Sequence, residues 1–164
     1  RREEALQATK EAVEIYRLLA QQRPDAFRPD LAHSLNNLGA MLSALGRREE
    51  ALQATKEAVE IRRLLAQQRP DAFRPDLASS LGNLSIHFSD TGRPTEALAA
   101  AEEGVRLLAP FFLRYPRAFE VWMTNNARFY RLCSQAAGRE PDLELLGPIE
   151  AALASLKDEP GTEP

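Results

Sequence analysis

Two histidines and one cysteine are the side chains of this 164-residue chain best suited to acid–base, nucleophilic or metal chemistry. His33 and His87 fall in separate stretches, and neither has a second histidine or a cysteine at ligand spacing. Cys133 is followed by no histidine and has Arg128, Tyr130 and Arg131 before it, so it reads as a small apolar residue of a helix rather than an activated thiol. Ser34, Ser43, Ser79, Ser80 and Ser85 stand in no sharp strand-to-helix turn that would expose a nucleophile. The eight glycines form no phosphate-cradling loop and instead mark helix ends and close packing. Glu3-Glu4 and Glu49-Glu50 are carboxylate pairs, but each follows an Arg-Arg pair at once, which cancels the local field. The residues therefore predict no catalytic centre, no metal site and no cofactor.

Charge narrows the partners further. There are 21 basic and 24 acidic residues, a formal charge of -3, which gives no footprint for nucleic acid. Arg62 and Arg63 read as exposed arginines beside a helical seam. Arg114, Arg117, Arg128, Arg131 and Arg139 make the last third locally basic, enough for an anionic patch to be considered there. A single Cys excludes an intrachain disulfide framework. No apolar run reaches membrane-spanning length, no targeting segment is visible, and a cytoplasmic chain is the expectation.

The elements that must carry these side chains are helices. Ala and Leu dominate, β-branched Val and Ile are scarce, and hydrophobic residues make up 44% of the chain. Residues 1–35 recur at 47–81 with only Tyr16/Arg62 and His33/Ser79 changed, an offset of 46 residues. A more diverged third copy keeps the register through Pro24, Pro70 and Pro116, through Phe27, Phe73 and Phe119, and through Gly46, Gly92 and Gly138. Such a period is the signature of a solenoid. Leu31, Leu35, Leu38, Leu42 and Leu45 form one helical stripe, closed by Gly46 as a C-cap. Ala51, Ala54, Ala58, Ile61 and Leu65 line a second helix. The reading is all-α, an alpha-alpha superhelix of about seven antiparallel helices at 2–22, 29–45, 48–68, 75–90, 94–114, 120–137 and 141–157. RPDAFRPD is taken as a stiff link, with Phe73 over the seam between periods. Residues 1–157 form one elongated domain of a longer array, and 158–164 a frayed tail.

At Leu35-Asn36-Asn37-Leu38-Gly39, with Leu42, Gly46, Ala51 and Ala58, the chain resembles the tetratricopeptide repeat. Its 46-residue period, against the family's usual 34, is similar to the kinesin-light-chain-like class and to the repeat arrays of bacterial signalling proteins. The resemblance implies that Gly39, Ala51, Ala58, Ser85 and Ala97 sit where helices approach closely. Arg131 stands where a small residue belongs, so the third period should pack differently. It also implies a concave peptide-binding face at His33, Asn36, Asn37, Ala40 and Ser43, then Ser79, Gly82, Asn83 and Ile86, then Asn125, Arg128, Phe129 and Leu132. An Asn row can pair with an extended peptide backbone, or it can bond within the stack; both readings stand at this point. Lysines that would clamp a free C-terminus are absent from these positions.

The function implied is a non-catalytic scaffold for a protein or peptide, with no membrane and no nucleic acid partner. The alternatives are a structural, self-associating array, or a sensor segment of a larger bacterial signalling ATPase or protease. The first helix, through Ala5, Ala12, Ile15 and Leu19, is expected to mediate weak end-to-end association, because it lacks a partner on one side.

Overall fold

In the computed structural model, which describes residues 2–158, seven helices follow one another: α1 (Arg2–Gln22), α2 (Pro24–Ala44), α3 (Arg48–Gln68), α4 (Pro70–Asp90), α5 (Pro94–Arg114), α6 (Pro116–Ala136) and α7 (Leu143–Asp158). The first six are 21 residues each. Of the expected tail, Asp158 closes α7, and residues 159–164 lie outside the described residues. No described helix is long and apolar enough to cross a membrane.

Two kinds of reversal alternate. After α2, α4 and α6, Gly46, Gly92 and Gly138 adopt φ of 75°, 73° and 64°, where a Cβ would be strained. Each closes a Schellman pair. Gly46 N–H donates to Ser43 C=O at 2.9 Å and Arg47 N–H to Leu42 C=O at 2.9 Å, and the same bonds recur at the other two glycines. After α1, α3 and α5 the reversal takes one residue. Arg23, Arg69 and Tyr115 are extended (φ -136°, -137° and -134°), each directly before a proline. The proline ring disfavours the helical region for the residue before it, and itself fits the first helical position, where no N–H is required.

This corrects the reading of RPDAFRPD as a link. Apart from the joint arginine, the segment is about the first two turns of α2 and again of α4. Pro29 is tolerated inside α2 because its missing donor orphans only the carbonyl of Asp25, which is exposed and can turn to solvent. Phe27 and Phe73 half-bury against clusters that join two successive periods, Leu31 and Leu35 with Ala58 for the first and Leu77 and Leu81 with Ala100 for the second, with the guanidiniums of Arg23 and Arg69 over their rings at 5.9 and 4.9 Å. Helices α2, α4 and α6 therefore begin four or five residues earlier than the sequence reading placed them.

Each helix packs against the next, and α2, α4 and α6 also touch in series, whereas no Cα of α1 comes within 8 Å of α3, nor of α3 within 8 Å of α5. Over these helices the stack bends with the even helices inside. The core runs along the contacts, with Leu31, Leu35 and Ala58 in one cluster and Leu52, Val59, Leu77 and Leu81 in the next. Gly39, Ala51, Ala58, Ser85 and Ala97 are all buried. A Cβ on Gly39 would collide with Thr55 Oγ1 and sit 3.2 Å from the Ala51 carbonyl oxygen.

Arg62 departs from the sequence reading. It is 8% exposed, donating to Asp76 C=O at 2.6 Å and Ser80 Oγ at 2.7 Å. Its long stem reaches across the α3–α4 contact, where Tyr16 and Leu108 stand in the neighbouring periods. The third period also departs from the first two. Arg131, too large and polar to be buried like Gly39, stays at the surface and pairs with Glu150 of α7. Accordingly α7 lies less closely on α6 than α3 does on α2, and it also leans on α5. It is anchored by Asp142, whose N–H donates to Tyr130 Oη at 2.9 Å and whose carboxylate accepts from Leu145 N–H at 3.1 Å.

Gly39→Leu should lower stability by about 3 kcal/mol in denaturant melts, because backbone as well as Thr55 must shift. Arg62 has no carboxylate at bonding distance to offset its desolvation, and burial holds its pKa below the usual guanidinium value. Arg62→Leu, matching buried Leu108, should leave stability unchanged or raise it by up to ~2 kcal/mol; a large loss would show that the arginine bonds hold α3 to α4.

Candidate functional site

Helical period places His33, Asn37, Ala40 and Ala44 on one line of α2. All four are exposed. One period on, Ser79, Asn83, Ile86 and Asp90 take the same line on α4. Ser79, Asn83 and Ile86 are half-buried because α2 and α6 flank them. On α6 the line is Asn125, Phe129, Leu132 and Ala136, with Leu132 49% exposed. Side by side on the inner helices, these lines make rows that cross the stack. One row is polar (His33, Ser79, Asn125), the next is Asn37, Asn83 and Phe129, and the third is apolar with growing bulk (Ala40, Ile86, Leu132).

Four of the residues expected on this face stand elsewhere. Asn36 and Gly82 are buried in the seam between successive even helices. Asn36 Nδ2 donates to Ser80 Oγ at 2.6 Å, so this amide joins α2 to α4. One period on, the sizes are exchanged. Gly82 makes room for Asn126, whose Oδ1 would lie 3.2 Å from a Cβ there, and whose Nδ2 donates to Trp122 C=O at 2.9 Å. Arg128 occupies the matching place on α6 and is exposed, because among the described residues no further even helix packs on it. Ser43 is half-buried beside the turn. The consecutive pair Asn36-Asn37 thus divides between seam and surface. Among the described residues the side chains of Asn37 and Asn83 make no hydrogen bond. Sequence pattern could not separate the two asparagines, since both adjoin the Leu stripe.

The groups considered for chemistry are dispersed. His33 is on the exposed line, while His87 is 6% exposed between α2 and α4, its ring edge toward Gly39. Cys133 is buried, and desolvation pushes its thiol above the ordinary value, opposite to an activated nucleophile. No three His, Cys, Asp or Glu side chains among the described residues gather at metal-binding distance. A depression of about 740 Å³ is on the other side of the stack, between α1 and α3 over Leu35, Leu38 and Leu42. Arg17 Nη2, which donates to both carboxylate oxygens of Glu57 at 2.9 Å, bridges it. At its counterpart one period on, Phe88 stands in place of Leu42 under the Lys56 ammonium, 5.3 Å from the ring centre. It is a seam between outer helices, filled to different degrees in the two periods.

A family model described as the tetratricopeptide repeat matches residues 31–71, which span α2 from Leu31, the Gly46 turn, all of α3 and the start of α4. No curated protein matches the chain. The chain therefore contains a tetratricopeptide-type repeat motif within a seven-helix solenoid, a fold consistent with protein-binding scaffolds in general.

His87 supplies a pH test of the seam. Burial lowers its pKa below the ordinary value of 6.5, and the nearby Asp90 charge offsets this only in part. Below that value the unfolded chain takes up a proton that the folded chain resists, so stability should fall as pH drops from about 6.5 toward the lowered value, and be unaffected above it. Met41 fills the equivalent place one period earlier. His87→Met should flatten the melting temperature between pH 7 and pH 5.5; an unchanged slope would place the titration elsewhere.

Proposed function

We propose that the chain is a non-catalytic scaffold that binds an extended segment of a protein across the inner helices α2, α4 and α6. The observation that carries this reading is the pair of unbonded amides, Asn37 and Asn83, at the same register of adjacent helices, while neighbouring Asn36 already serves the seam. Each free amide offers a donor and an acceptor, which suits the N–H and C=O groups of a peptide backbone without reading its side chains. The adjoining row of Ala40, Ile86 and Leu132 accepts apolar side chains of increasing reach from the first period to the third. Phe129 ends the row in the third period, and Arg128, exposed on the adjoining seam line of α6, flanks it, so an acidic or aromatic side chain of the segment would be met at that end. A contribution as the sensing part of a larger signalling protein is compatible with the same face.

The experiment is selection of short random peptides on the immobilised chain, followed by affinity measurement on variants. Enriched peptides should bind the Asn37→Ala, Asn83→Ala double variant about tenfold more weakly, matching ~1.4 kcal/mol for two backbone pairings. The melting temperature should stay unchanged. A clear loss of thermal stability with affinity retained would return both residues to the scaffold and overturn the assignment.

A further inference from the structure

The depression between α1 and α3, of about 740 Å³, has a floor of Leu35, Leu38 and Leu42 and a lining that runs from Lys10 to Glu60. Helices α3 and α5, with α4 between them, make the same arrangement one period on. The two are comparable residue by residue, because Lys10, Val13, Arg17, Leu35, Leu38 and Ala54 recur as Lys56, Val59, Arg63, Leu81, Leu84 and Ala100. The walls are tied alike, Arg17 to Glu57 and Arg63 to Glu103. The filling is not alike. In the second period Leu52, Val59, Leu77, Leu81, Leu84 and Ala100 form one buried cluster. Phe88 packs against it, with the Lys56 ammonium 5.3 Å from its ring centre. In the first period Leu42 stands at the register of Phe88. The matching residues there fall into two clusters, Val13, Leu31 and Leu35 in one and Leu6, Leu42 and Ala54 in the other, with Leu38 against both. Leu84 is 7% exposed, whereas Leu38 is half-buried and lines the depression. A ring is what the first period lacks.

We infer that this groove is a binding site for a phenylalanine side chain carried by a basic segment of a partner protein. The ring seats on Leu38 and Leu42 beside Ala54, as Phe88 seats on the cluster of Leu84 and Ala100. Lys10, at the register of Lys56, supplies the ammonium over it. Seating the ring joins the two apolar clusters and takes Leu38 out of water. The rim charges favour basic neighbours. Five carboxylates and three cations line the groove. Arg17 holds Glu57, Arg47 holds Glu50 and Arg93 reaches Glu49. Glu60, exposed on the rim, makes no bond among the described residues, and its counterpart one period on is Arg106. A Lys or Arg beside the phenylalanine therefore meets a carboxylate that the filled period does not have. An exposed ion pair contributes little, so the ring carries the affinity and the cation the choice of segment. The groove lies on the outer layer, away from the row of Asn37 and Asn83, and does not depend on the reading of that row.

The test is titration of acetyl-Lys-Phe-Lys-amide into the full chain with labelled Leu and Ile methyls, read by NMR. Upfield ring-current shifts at the Leu38 and Leu42 methyls are expected, saturating at millimolar peptide. The same peptide with Ala in place of Phe should give none. Leu42→Phe fills the groove from within, as Phe88 shows that this register can, and should weaken binding about tenfold. Phe88→Leu opens the second period, and should add peptide-dependent shifts at Leu84. Equal shifts from the alanine peptide, undiminished binding to Leu42→Phe, or no response at Leu84 in Phe88→Leu would each overturn the assignment. So would shifts confined to Ile86 and Leu132 of the inner face. Equal shifts from phenethylammonium would make the occupant a small aryl cation instead of a protein segment, and would overturn it too. Asn37→Ala and Asn83→Ala should leave the Leu38 shifts unchanged, so the two surfaces stand or fall separately.

Discussion

The structure depends on how little chain it allows for reversal. The first five reversals, between six helices of equal length, take either one residue or three, so each helix must lie flush against the one before it. The one-residue reversal exists because proline disfavours helix at its predecessor and at once begins the next helix. The three-residue reversal exists because glycine accepts a left-handed conformation and lets two backbone bonds close the last turn. Helices held so tightly must touch along their length, and the contact line is therefore made of Gly39, Ala51, Thr55 and Ala58 rather than of large side chains.

Where that contact line changes, the packing changes with it. Arg131 in place of Gly39 keeps α7 from closing on α6, and a longer connection, residues 137–142, replaces the short turn. Tyr130, Asp142 and Arg106 then provide polar anchoring that the first two periods do not need; Arg106 Nη2 lies 2.8 Å from Asp142 Oδ2. The carboxyl of Asp142 is held below its ordinary value first by the Leu145 N–H and then by Arg106, as suits a residue at a helix start. The exchange of Asn36 facing Ser80 for Gly82 facing Asn126 shows the same logic inside the inner layer. The two periods share a backbone, while the volume at the seam is supplied from opposite sides.

Repetition also gives the surface its order. Any exposed line on one inner helix is laid beside its copy on the next, so a residue type that recurs at one register becomes a row. Asn37 and Asn83 form such a row by duplication alone, and Phe129 ends it where the third copy diverged. The seam needs only one amide at each junction, which is why the second asparagine of the pair is left facing outward.

The sequence by itself determined the helices, their period, the glycine turns and the small residues at the contacts. These follow from local rules, since a stripe of leucines, a proline or a glycine acts on its own few neighbours. The Tyr16/Arg62 difference and the Asn36-Asn37 pair were equally visible, but not what they do. Arg62 reads as a surface charge until α4 is placed beside it with a carbonyl and a hydroxyl at its tip. Asn36 and Asn37 are one residue apart and alike in chemistry, and only the rotation of α2 against α4 decides which is buried. The prolines of RPDAFRPD read as breaks, because local propensity cannot register that an exposed Asp25 carbonyl can lose its helical donor to solvent. Burial and pairing are properties of two or more elements at once, so they were settled only when the helices met.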